Sequence, residues 1–137
     1  MSATAVLALG AGLLLAAGLA RAARQRARRL DPRAALAQAE TLRQRGQLAE
    51  ARALLTRAAR EHPQDSAIHY RLACCLTLSR DFRTALAHLK CACDLDANWA
   101  VSAMHDPELR GLWQSGAPGT RPSQWLAARG AAVRPAA

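Results

Sequence analysis

Aromatic side chains are scarce in this chain: three Trp, one Tyr and one Phe make up 4% of its 137 residues. Alanine is abundant instead, a balance that suits close packing of helices more than a β-core rich in aromatic and β-branched residues. Lysine is nearly missing. Eighteen of the nineteen basic residues are Arg, which we read as codon bias in a G+C-rich genome rather than eighteen functional choices. Catalytic signatures are missing too, since no HExxH, no GxSxG and no phosphate-cradling glycine loop occurs. His62, His69, His88 and His105 stand in no supporting pattern, and Asp94 and Asp96 read as turn and solvent residues. No nucleophile–base–orienter set emerges. The expectation is a non-enzyme with no cofactor, no metal and no small-molecule substrate.

What charge there is lies unevenly. Residues 21–29 hold five Arg and no acid, residues 30–113 hold eleven basic and ten acidic residues, and residues 114–137 hold three Arg. The net charge of +9 therefore belongs to the flanks, and the body between them is nearly neutral. A nucleic-acid reader needs a basic face on its fold with base-reading or stacking side chains. That signal is absent, so no nucleic-acid partner is expected.

Residues 3–20, ATAVLALGAGLLLAAGLA, carry no charge at all. Eighteen residues at helical rise span about 27 Å, just enough for a bilayer core. A cleaved signal peptide would carry its positive charge before the apolar run, whereas Met1–Thr4 has no basic side chain. Arg21, Arg24, Arg26, Arg28 and Arg29 come after it, which favours an uncleaved single-pass anchor with the following domain in the cytoplasm. The same arginines would also be drawn to anionic lipid heads.

The body contains a gapless 34-residue repeat, Pro32–Asp65 over Ser66–Trp99. Small residues superpose on small: Ala39 on Ala73, Ala51 on Ala85, Ala58 on Ala92. Large superpose on large: Leu42 on Leu76, Leu48 on Phe82, Leu55 on Leu89. Each repeat reads as a helical hairpin. Asp31-Pro32 opens a helix over 32–45, Gly46-Gln47 turns it, and a second helix runs over 48–62 to Pro63. Helices over 66–79 and 82–95 follow, capped by Asp65 or Ser66 and by Asp81. This spacing and large–small pattern resemble the tetratricopeptide repeat. Three positions depart from that pattern: Gln38 where a large apolar residue is preferred, Arg80 for the turn glycine and Ala97 for the closing proline. Residues 99–113, WAVSAMHDPELRGLW, resemble the truncated segment that follows the last repeat in bacterial proteins of this kind. Asp106-Pro107-Glu108 should open a short helix there, with Leu109, Leu112 and Trp113 folding back onto the stack.

The expected fold is all-α: an N-terminal transmembrane helix, then a short solenoid of two tetratricopeptide-like hairpins plus a degenerate cap. Its expected boundaries are 1–30 for the anchor with its Arg-rich segment, 31–113 for the helical domain and 114–137 for a poorly ordered tail. Gly, Pro and Ala dominate that tail, and Trp125-Leu126 is its one apolar feature.

Four cysteines, Cys74, Cys75, Cys91 and Cys93, do not have metal-ligand geometry on helices. Cys91 and Cys93 stand about 200° apart, and Cys74 and Cys75 about 100°. They read as small packing residues.

The resemblance implies function by recognition. A groove lined by the first helix of each repeat would present Arg33, Leu36, Glu40, Arg43, Tyr70, Arg71, Cys74 and Thr77. Some relatives clamp a C-terminal carboxylate with Lys and Asn here, but Glu40 and Cys74 stand at the Asn positions, so that activity is not carried over. Partner binding is expected at Arg43, Tyr70, Arg71 and Cys74, to a protein or peptide, extended or helical. The alternative is a structural subunit that completes its solenoid within a homo-oligomer or a larger membrane complex.

Overall fold

A computed structural model of the chain describes the backbone of residues 3–121, 124, 125 and 127, and their side chains except at residues 3–9, 11 and 27. It falls into two compact units, Met1–Leu30 and Asp31–Ala137. Among the described residues there are seven α-helices, one 3₁₀ turn and no strand. The all-α expectation holds.

The first unit is helix α1, Ala3–Arg28. Leu13, Leu14, Leu15 and Leu19 are all exposed on it. At about 100° per residue these four spread around most of the helix, so it has no single apolar stripe. Among the described residues no helix is long and apolar enough to cross a membrane, and the transmembrane span expected at 3–20 finds no support among them. The physical reason lies within α1. Its described uncharged stretch ends at Ala20, and Arg21, Arg24, Arg26 and Arg28 follow in the same helix. The side chains of residues 3–9 and 11, on which much of the expectation rests, lie outside the described set.

The second unit holds the hairpins. Helices α2 (Pro32–Gln44) and α3 (Leu48–Glu61) form the first, α4 (Ser66–Leu78) and α5 (Phe82–Leu95) the second. Each boundary has a local cause. Asp31 accepts from the Ala34 amide at 2.8 Å, Asp65 from Ile68 at 3.1 Å and Asp81 from Thr84 at 3.3 Å. These carboxylates satisfy amides that the first helical turn leaves unpaired. Both hairpin turns close in the same way. The Gly46 amide bonds Arg43 O and the Gln47 amide bonds Leu42 O, while Arg80 and Asp81 repeat this on Thr77 O and Leu76 O. Such a C-terminal lock needs a left-handed residue at its centre. Gly46 has φ 76°, and Arg80 is forced to φ 62° at the equivalent position.

The repeat pattern then sets the packing. Ala39, Ala51, Ala58, Ala73, Ala85 and Ala92, the superposed small residues, are all buried. They let α2 approach α3, α3 approach α4, and α4 approach α5. Leu55, Leu72 and Leu89 fill the spaces beside them and are fully buried.

A third hairpin begins and fails. Helix α6 (Asn98–His105) starts where a third repeat would, but Pro107 disfavours helical backbone at Asp106, which is extended at ψ 118°. The chain turns through the 3₁₀ turn Pro107–Leu109 into the short helix α7, Arg110–Gln114, and both lie against α4. Leu109 and Leu112 are fully buried, as the cap expectation had it. Trp113 donates from Nε1 to Ala103 O at 3.0 Å, which ties α7 back to α6.

The packed region extends past residue 113. Thr120 is buried, and Gly119 at φ 82° leaves room for Leu86 Cδ2, 3.4 Å from where a β-carbon would stand. Trp125 is buried and its ring meets Trp113 at 5.5 Å between centroids. These residues fall in the stretch expected to be poorly ordered. Residues 122, 123, 126 and 128–137 lie outside the described set.

Candidate functional site in the groove between α2 and α4

Helices α2 and α4 present the expected groove residues on facing turns. Arg43 comes from the last turn of α2, and Tyr70, Arg71 and Cys74 come from the middle of α4. The structure brings these four together, but around a segment of their own chain.

Tyr70 is only 2% exposed. Its ring stacks on Trp99 with centroids 4.3 Å apart, and its hydroxyl donates to Asp106 Oδ2 at 2.7 Å. Burial, and donation to that carboxylate, push its ionisation well above the usual tyrosine range. Trp99 is fixed in turn by donation from Nε1 to Ser66 Oγ at 3.0 Å. Cys74 lies directly beneath, 1% exposed, with Sγ 3.9 Å from the same Asp106 oxygen. Burial and the neighbouring carboxylates hold it as the neutral thiol, and burial also raises Cys75.

Arg43 is held on two sides. It donates Nε to Glu40 Oε2 at 3.0 Å along α2, and its Nη1 reaches Glu108 Oε1 at 2.6 Å across the groove. The hydrogen bond to Glu40 strengthens its positive charge, and Glu40 is correspondingly lowered below the usual carboxylate range. Arg71 is about half exposed, and its Nη1 stands 3.8 Å from Glu108 Oε2. Glu108 Oε2 is buried with no hydrogen-bond partner among the described residues. Of the other groove positions, Arg33 is exposed, Leu36 is partly covered, and buried Thr77 donates to Ala73 O on its own helix.

Cys74, Asp106 and Glu108 bring one ligand atom each within 4.8 Å of one another. Their chemistry is already committed. Asp106 accepts from Tyr70 and from the Glu108 amide, Glu108 pairs with Arg43, and burial keeps the thiol protonated. The cluster is an ion-pair and hydrogen-bond lock more than a set of free metal ligands. None of the four cysteines forms a disulfide.

Asp106 and Glu108 were read as helix-opening residues, and Asp106 does cap the turn Pro107–Leu109 by accepting from the Glu108 amide at 2.9 Å. Their place against Tyr70 and Arg43 was not foreseen. The available signal was charge: two carboxylates next to a helix-breaking proline, downstream of a groove carrying Arg43, Arg71 and a tyrosine hydroxyl.

Residues 42–92 match a family model described as Tetratricopeptide repeat. That stretch, from the last turn of α2 into α5, is similar to tetratricopeptide repeats, which are generally protein-interaction elements. No curated protein and no solved structure matches the chain.

Proposed function

We propose that this chain is a non-enzymatic protein-interaction module whose recognition surface is the α2–α4 groove around Arg43, Tyr70, Arg71 and Cys74. One observation carries this reading. A phenol from α4 and a guanidinium group from α2 hold the carboxylates of Asp106 and Glu108 in one short segment, and a second guanidinium group, Arg71, stands 3.8 Å from Glu108. Such groups recognise a peptide by paired, charge-assisted hydrogen bonds, and Tyr and Arg are the residue types that dominate binding energy at interfaces. Affinity purification of the full-length protein from its own cells, followed by mass spectrometry, identifies the partner. Arg43→Glu with Arg71→Glu is then expected to weaken capture at unchanged helical signal. Undiminished capture by that variant refutes the groove as the recognition surface.

The finer reading of location belongs with this. We infer that residues 3–20 attach the module to a membrane. The exposure of Leu13, Leu14, Leu15 and Leu19 around α1 supports it, as do the arginines that follow, which suit anionic lipid heads. Carbonate extraction of membranes tests it, and full release of the protein into the soluble fraction refutes it. The rival role, a subunit that needs a second copy to finish its solenoid, has less support. The chain's own Leu109, Leu112 and Trp125 are already buried at the C-terminal end of the stack.

A further inference from the structure

The segment Asp106–Leu109 sits where a groove partner would. Asp106 takes the Tyr70 hydroxyl, Glu108 takes Arg43, and Leu109 is fully buried. Two observations mark this occupant as an incomplete fit. Glu108 Oε2 is buried without a hydrogen-bond partner among the described residues, and the nearest Arg71 nitrogen stays 3.8 Å away. One of the groove's two guanidinium groups is therefore not closely paired by the resident segment.

We propose that Asp106–Leu109 is a resident, displaceable ligand of this groove. The external partner is an acidic segment of the same chemistry: two carboxylates one residue apart, followed by a large apolar residue. The proposal rests on the interaction-module reading above and narrows it to one partner class. A partner carboxylate placed closer to Arg71 completes the second charge-assisted pair that Glu108 leaves open. The apolar residue replaces Leu109. The resident segment competes from within the chain, at an effective concentration of order mM for a short connection. A free peptide therefore enters only when the resident contacts are loosened, and the partner must supply either more contacts or a second point of attachment.

Cys74 lies under the segment and reports its release. In the full chain with Cys75, Cys91 and Cys93 replaced by Ala, thiol labelling of Cys74 measures opening of the groove. In the counterpart that keeps only Cys93, a buried residue of α5, labelling measures opening of the stack. Asp106→Asn with Glu108→Gln is expected to speed labelling of Cys74 by about tenfold or more, since two charge-assisted contacts are lost, and to leave Cys93 unchanged. Tyr70→Phe, which deletes only the hydroxyl, is the milder second variant and should act in the same order. The probe is a synthetic peptide of residues 103–113. Added to the loosened protein it should slow Cys74 labelling, whereas the same peptide carrying Asp106→Asn and Glu108→Gln should not. Equal acceleration at Cys74 and Cys93 in both variants overturns the proposal, because the segment then does not open alone. Equal protection by both peptides, or by neither, also overturns it. Protection by the acidic peptide alongside failed partner capture supports this proposal and counts against the module reading.

Discussion

Arg80 occupies a backbone conformation that its own repeat partner assigns to glycine. The two positions lie 34 residues apart, at φ 76° for Gly46 and φ 62° for Arg80, with the same two hydrogen bonds closing each turn. A β-carbon in the left-handed region costs roughly 1–2 kcal/mol. Replacing Arg80 by Gly removes that cost but returns about 0.4–1 kcal/mol of chain freedom to the unfolded state. The net expectation for Arg80→Gly is stabilisation by about 0.5–1 kcal/mol. Gly46→Ala runs the balance backwards. No atom lies within 4 Å of the added β-carbon, so the effect is backbone strain alone. It should destabilise by a similar amount. Arg80→Asn keeps a β-carbon yet tolerates this region well, so it should stabilise without the entropic loss. In a domain of this size about 1 kcal/mol moves Tm by roughly 4–8 °C. Thermal unfolding followed by circular dichroism reads all three. A fall in Tm for Arg80→Gly together with a fall for Arg80→Asn refutes the strain argument, and means that the Arg80 side chain itself holds the turn.

Three further outcomes are expected. Ala85→Leu should lower stability by about 1–3 kcal/mol through overpacking, whereas Ala87→Leu on the exposed side of α5 should change little; equal shifts in the two melts would disprove the packing register. His88 should make the fold acid-sensitive. His69 Nε2 must donate to Pro63 O at 2.9 Å, which leaves its Nδ1 to accept from His88 Nδ1 at 3.0 Å, and burial first, then the neighbouring His69 ring, lower His88 below its usual value of 6.5. The folded state then binds fewer protons than the unfolded chain, so this stability is present above about pH 6.5 and is lost as pH falls through that value towards the folded pKa. Melts from about pH 8 to about pH 5 should show a drop that His88→Gln reduces; an identical profile for the variant would sink this assignment. Replacing all four cysteines by Ala should leave helical content unchanged, checked by far-UV circular dichroism, because none forms a disulfide and each serves as packing volume.

The hairpins were legible because their determinants are local and repeated. Asp31, Asp65 and Asp81 cap within three residues of themselves, and the 34-residue superposition of Ala on Ala states the packing register twice. Arg80 was legible as a departure, since the turn demands a left-handed residue whatever side chain supplies it. The packing of Thr120 and Trp125 was not legible, for an equally physical reason. Gly, Pro and Ala read as disorder when taken alone, yet Gly119 is there to let Leu86 approach, and Trp125 finds an edge of Trp113. Those contacts span too much sequence to leave a periodic trace.

The groove shows the limit most clearly. Arg43, Tyr70, Arg71 and Cys74 could be named together from the repeat because positions on one helix face follow from helical phase. The occupant follows from a failure of phase. Pro107 stops α6 after eight residues, and only that break sends Asp106 and Glu108 back over α4. A sequence that kept helical backbone at Asp106 would carry the same two carboxylates away along a third hairpin and leave Tyr70 and Arg43 facing solvent. Pro107 is thus the residue on which delivery of the segment to the groove should turn, through its effect on the backbone at Asp106. Pro107→Ala removes the block on helical backbone at Asp106 but leaves Asp106, Glu108 and Leu109 in the chain. If backbone geometry delivers the segment, this variant should expose Cys74 to labelling while helical content stays level or rises. If Cys74 labelling stays as slow as in the parent, the ion pairs alone recruit the segment, and the proline is incidental.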